Sequence, residues 1–123
     1  MRGWCTGGRT RKGVPVSDRA YGEVRQGSGR AAGKFQAVGD GFGYTPFPGT
    51  LNLRVAAADK QRMLDAAVIV GPKVGKNDRF LPCTVAGVAG HVHFAGGRNS
   101  IEIVAPVRLR DYVSDGDTLE VRF

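Results

Sequence analysis

A hydroxyl and an amide stand two residues apart in TPFPGTLNLRV (residues 45–55), at Thr50 and Asn52. Positions two apart on a strand share a face, so both side-chain oxygens would point the same way. Neutral oxygens suit Mg²⁺, which takes oxygen ligands and leaves positions for substrate phosphates. Pro46 and Pro48 fix φ, and Gly49 permits a tight reversal. Together they set where the pair begins. Spacing alone leaves a second reading open, a solvent-facing threonine and asparagine after a proline turn.

Two further stretches carry groups of chemical interest. In GSGRAAGKF (residues 27–35), Gly27, Ser28, Gly29, Arg30, Ala31, Ala32 and Gly33 form a small-residue loop, with Lys34 just beyond. Gly27, Gly29 and Ala32 satisfy G-x-G-x-x-G/A, but no long helix follows, which excludes a dinucleotide fold. A Walker A loop fails as well, because Phe35 follows Gly33-Lys34 where serine or threonine is required. Two readings remain: a nest of backbone N–H groups that receives an anion, or a glycine-rich hairpin loop. In SIEIVAPVRLRD (residues 100–111), Glu102 faces opposite to Ile101 and Ile103. Arg108 and Arg110 follow Pro106, which favours a first helical turn. This is an anion or base-edge site, or else a surface acid and two solvated arginines. His91 and His93 share a strand face with no acid or cysteine cluster beside them, so no transition-metal site is expected. Cys83 lies in an apolar run and reads as an inert buried thiol.

The elements that must position these groups are short. YGEVRQG alternates as a strand, and Phe35 and Val38 are able to join another. In GTLNLRV, Leu51, Leu53 and Val55 face one way and Thr50, Asn52 and Arg54 the other. A helix is expected from about Ala57 to Asp65. RFLPCTVAGVAGHVHFAG reads as two strands joined by a glycine-containing turn, SIEIVAP as a strand closed by proline, and TLEVRF as a final strand. About six short strands, one or two short helices and no internal repeat imply a small, mostly-β barrel.

The chain of 123 residues fits one domain. Its 19 glycines have no period, which excludes collagen and suits tight turns and close backbone approach. The net charge of +7 implies an anionic partner or a basic tail. Residues 1–19 hold Arg2, Arg9, Arg11 and Lys12 with few apolar residues, and are expected to form a flexible basic arm ahead of a barrel over 20–123. No segment reads as a signal peptide or membrane span, so a reducing cytoplasm is the expected setting, without a membrane partner.

The quoted stretches occur together, and in this order, in one family. GEVRQGSG (22–29), GYTPFPGTLNLRV (43–55), IEIVAPVRLRD (101–111) and DGDTLEV resemble the archaeal-type CTP-dependent riboflavin kinases over roughly residues 20 to 123. The resemblance implies a six-stranded cradle-loop barrel that transfers the CTP γ-phosphate to the 5′-hydroxyl of riboflavin, giving FMN and CDP. It also implies that the loop from Gly27 to Gly33 binds nucleotide phosphates, that Thr50 and Asn52 hold Mg²⁺, and that Glu102 contacts the flavin; on chemical grounds Glu102 is also the candidate base. Val107, Arg108, Leu109 and Arg110 would contact the cytidine nucleotide. The family's G-E-G-x-Y continuation reads GRAAGKF here, and Phe94 stands where the family carries a threonine. These departures motivate an alternative, a non-catalytic nucleotide- or flavin-binding member. The net charge motivates another, a nucleic-acid-binding barrel, but an aromatic fraction of 8% without a clustered platform argues against stacking on single strands. A monomer is the expected state.

Overall fold

A computed structural model describes residues 18–27, 42–69, 79–94 and 97–123. The strands are β1 (Arg19–Arg25), β2 (Leu51–Val55), β3 (Val68–Ile69), β4 (Arg79–Val85), β5 (Val88–His93), β6 (Ser100–Val104) and β7 (Thr118–Arg122). One helix, α1 (Ala57–Ala66), follows β2, and a 3₁₀ turn (Leu109–Asp111) follows β6. All pairings are antiparallel, in the order β3-β4-β5-β6-β2-β1-β7. A further pairing of β4 with β7 closes the ring, so the expected six-stranded barrel is present, with two-residue β3 added at its lip. The N-terminal end of β4 pairs with β3 through Arg79 and Phe80, and its C-terminal end with β7 through Thr84 and Val85. One edge therefore serves two strands.

Alternation explains the barrel. Leu51, Leu53 and Val55 on β2 meet Val24 on β1 and Ile101 and Ile103 on β6 inside, with Val85, Val92 and Val121. Each such fully buried side chain contributes roughly 1.5–3 kcal/mol. The β4–β5 connection is the two-residue turn Ala86-Gly87, both at positive φ (52° and 77°). That is the hairpin geometry whose twist matches the flanking strands. Helix α1 covers the expected stretch and runs one residue further; it buries Met63 and the stem of Lys60, whose Nζ donates to the Gly97 carbonyl at 2.7 Å.

Strict alternation fails on β4, where Phe80 and Leu81 are both buried. Leu81 enters the core. Phe80 faces the other way and lies under Phe42, with ring centroids 4.9 Å apart and edge to face. The helical turn expected at Pro106 begins instead at Leu109, with Arg108 extended before it (ψ 101°). Proline sets its own φ but supplies no contact; Leu109, buried in the core, decides where the turn forms. The expected strand positions Phe35 and Val38, and residues 1–17 of the expected arm, lie outside the described residues.

Candidate active site

The strand ends and the 3₁₀ turn enclose a cleft of about 430 Å³. One wall is the end of β1, at Gln26 and Gly27; another is Thr50 and Asn52 at the start of β2. The facing wall is residues 107–110, with Asp115 beyond, and Leu51, Ile103 and Leu109 supply an apolar floor.

The proline segment braces the start of β2. Phe47, between the two prolines, donates its N–H to the Ala105 carbonyl at 2.8 Å, which ties the segment to the chain leaving β6. Asn52 then stands opposite Arg25 on one side and Glu102 on the other. Its amide rests directly on Gly27: a Cβ added there would fall 2.0 Å from Asn52 Nδ2. Among the described residues neither Thr50 nor Asn52 has a side-chain hydrogen bond, so both oxygens remain available to a cation in the cleft. Neutral oxygens are the ligand type that Mg²⁺ takes. Among the described residues no group of three or more His, Cys, Asp and Glu side chains is placed to hold a metal.

The two arginines are held differently. Arg108 pairs with Asp111 at 2.9 Å on its own turn. Arg110 bonds Asp115 through Nη1 and the Arg25 carbonyl through Nη2, the latter at 2.7 Å.

Of the residues singled out in the sequence, Gly27, Thr50, Asn52, Val107, Arg108, Leu109 and Arg110 meet at this cleft. Glu102 does not line it; it sits one strand over from Asn52, with Oε1 3.4 Å from His93 Nδ1. Ser28, Gly29, Arg30, Ala31, Ala32 and Gly33 lie outside the described residues. Sequence reasoning missed Gln26, Phe47 and Asp115 as cleft residues. Phe47 had a signal, its place between prolines; Asp115 in a turn sequence had none.

Both histidines serve the outer layer. The Tyr44 hydroxyl donates to the Val104 carbonyl at 3.0 Å and lies 2.9 Å from His91 Nδ1. With its proton so used, the hydroxyl accepts from Nδ1–H. Burial holds the His91 pKa below its usual value and pushes the Tyr44 hydroxyl up. His93 is sandwiched against Phe80 (centroids 5.2 Å apart). Burial likewise pushes the Cys83 thiol up to about 12, which keeps it protonated and unreactive.

A family model named CTP-dep_RFKase, described as a domain of unknown function (DUF120), matches residues 32–123. A riboflavin kinase of Pyrobaculum arsenaticum is 35% identical over 130 residues, covering 86% of this chain and 60% of that protein. One of Methanocella arvoryzae is 36% identical over 93 residues, covering 67% of this chain and 43% of that protein. One of Aeropyrum pernix is 35% identical over 99 residues, covering 66% of this chain and 74% of that protein. The chain thus spans 60% or less of the length of the first two relatives. Among the described residues no helix is long and apolar enough to cross a membrane.

Proposed function

The chain belongs to the CTP-dependent riboflavin kinase family, and from that premise we propose that it phosphorylates riboflavin, taking the γ-phosphate of CTP and releasing FMN and CDP. The observation that carries this reading is the convergence of Gly27, the Thr50–Asn52 pair and residues 107–110 on one cleft. These groups are distant in sequence, and the pairing of β2 with β1 and β6 brings them to one end of the barrel.

Phosphoryl transfer asks for positioning and charge neutralisation more than for covalent chemistry. Thr50 and Asn52 would hold Mg²⁺, which when bound neutralises charge on the phosphate oxygens. Gly27, lacking a side chain, lets Asn52 and the nucleotide phosphates share the space at the end of β1. The loop that opens there is assigned to those phosphates. Residues 107–110 hold the cytidine nucleotide against the apolar floor. Glu102, steadied by His93, is assigned to the flavin side, one strand beyond the metal pair, and is the candidate acceptor for the 5′-hydroxyl proton.

The test is FMN formation by the purified chain with riboflavin, CTP and Mg²⁺. Turnover should exceed that with ATP and fall at least about a hundredfold in Thr50→Ala and in Asn52→Ala, the scale of losing a group that acts on transition-state charge. Both variants should keep the wild-type melting temperature within a few degrees. Wild-type turnover no higher than that of Thr50→Ala would sink the proposal. Tight binding of CDP or FMN without turnover would favour the binding-only alternative, for which Phe94 in place of the family's threonine is the motive.

A further inference from the structure

The cleft wall after β6 carries two arginines of the same charge, two residues apart, yet their surroundings differ in kind. Arg110 is committed twice. Its Nη1 meets the Asp115 carboxylate, and its Nη2 meets the main-chain carbonyl of Arg25, just ahead of Gln26 and Gly27 on the opposite wall. The guanidinium therefore spans the cleft from one wall to the other, and Asp115 offsets its charge locally. Its side chain is 28% exposed. Arg108 is 57% exposed and its partner Asp111 lies three residues on, in an equally open position. An exposed pair of that kind contributes little and is readily given up.

Resting on the nucleotide reading above, we propose that the two arginines divide the work. Arg110 is a positioning residue that holds the two walls in register, and Arg108 is the residue whose guanidinium turns to the anionic end of the nucleotide. Asp115 acts through Arg110, by fixing its fork.

The division is read by titrating the full chain with cytidine and with CDP at matched ionic strength in Mg²⁺. Arg108→Ala should weaken CDP about tenfold or more while leaving cytidine unchanged. Arg110→Ala should weaken both by a common factor, keeping their ratio within about threefold of wild type. Asp115→Asn should weaken cytidine, an uncharged probe, and the double variant Arg110→Ala/Asp115→Asn should bind cytidine no worse than Arg110→Ala alone. Melting temperatures close to wild type separate these effects from unfolding. A selective loss of CDP in Arg110→Ala, an equal loss of both ligands in Arg108→Ala, or additive effects in the double variant would overturn the division while leaving the nucleotide reading intact. If the unaltered chain bound neither ligand, the nucleotide reading itself would fall, and the division with it.

Discussion

Gly27 and Asn52 lie in close contact at the cleft, and that contact depends on what Gly27 lacks. The backbone there does not demand glycine for its φ, since the positive-φ glycines are Gly43, Gly87 and Gly116 among the described residues. A methyl group at Gly27 would strike the Asn52 amide, which is the end of a side chain and can swing away. Gly27→Ala should therefore mimic Asn52→Ala: FMN formation collapses while the melting curve barely moves. Gly90 shows the opposite case, because a Cβ there would lie 2.3 Å from the Val104 carbonyl oxygen, a backbone atom that cannot yield. Gly90→Ala should cost stability, on the order of 1–3 kcal/mol in a denaturant titration. Equal melting temperatures for the two variants would refute that contrast. His91 supplies a pH dependence at the same scale. Burial lowers its folded pKa from 6.5, so its contribution is fully present above 6.5 and is lost as pH falls through the lowered value. Melting temperature should decline from pH 7 to 5, and His91→Asn, which keeps a donor for Tyr44 but does not titrate, should flatten the decline. Parallel curves for the two proteins would rule His91 out as the cause.

Elements are short here, and each is held by a local device. The β4–β5 hairpin places Ala86 at φ 52°, a region that costs a residue with a Cβ about 1–2 kcal/mol. Ala86→Asn, which recreates the favoured Asn-Gly turn, should stabilise the chain by about 0.5–1 kcal/mol, read as a higher denaturant midpoint with unchanged slope. A lower midpoint would contradict the turn assignment. Helix α1 lacks a side-chain N-cap. It is tied down by Arg62 instead, which bonds Asp59 on its own face, reaches Asp18 and the Arg19 carbonyl ahead of and within β1, and lies over the Phe123 ring at 5.6 Å. The Arg62 contacts anchor the start of β1 and the end of β7, at the other end of β1 from the cleft wall at Gln26 and Gly27.

At the scale of the whole molecule, closure is the main fact. The ring shuts through only two residue pairs between β4 and β7, Thr84–Arg122 and Val85–Val121. Val121 also pairs with Ala20 on β1, so one side chain stands at the meeting of three strands, fully buried. Val121→Ala should cost about 2 kcal/mol through two lost methyl equivalents and a cavity, seen as a lower midpoint with an unchanged slope. An effect below about 0.5 kcal/mol, the range of ordinary surface changes, would mean that the seam is not closed as described. Backbone bonds in both directions between Asp18 and Phe123 at 2.8 Å extend the neighbouring β1–β7 pairing. Among the described residues the ten lysines and arginines nearly match the nine acids, so most of the net charge of +7 lies on residues outside them. Of these, Arg19, Arg25, Arg62, Arg108, Arg110 and Arg122 each lie beside a carboxylate, so the described surface carries interspersed charge and no unbroken basic track.

Much of this was legible in the chain. Period-two alternation in LNLRV, SIEIV and TLEVR marks strands because a pleated strand buries every second residue, and glycine and proline mark the turns because their φ preferences leave few other places for them. The motif order carries the family. What alternation cannot encode is which strands are neighbours, since the same pattern fits many pairings. Tertiary structure alone decided that β4 serves both β3 and β7, that Phe80 is buried on the outer face because Phe42 covers it, and that Glu102 lies beside the cleft rather than in it. It also decided the unequal surroundings of Arg108 and Arg110, because the carbonyl that holds Arg110 belongs to a residue 85 positions away, brought close by the docking of the segment before β7 on β1.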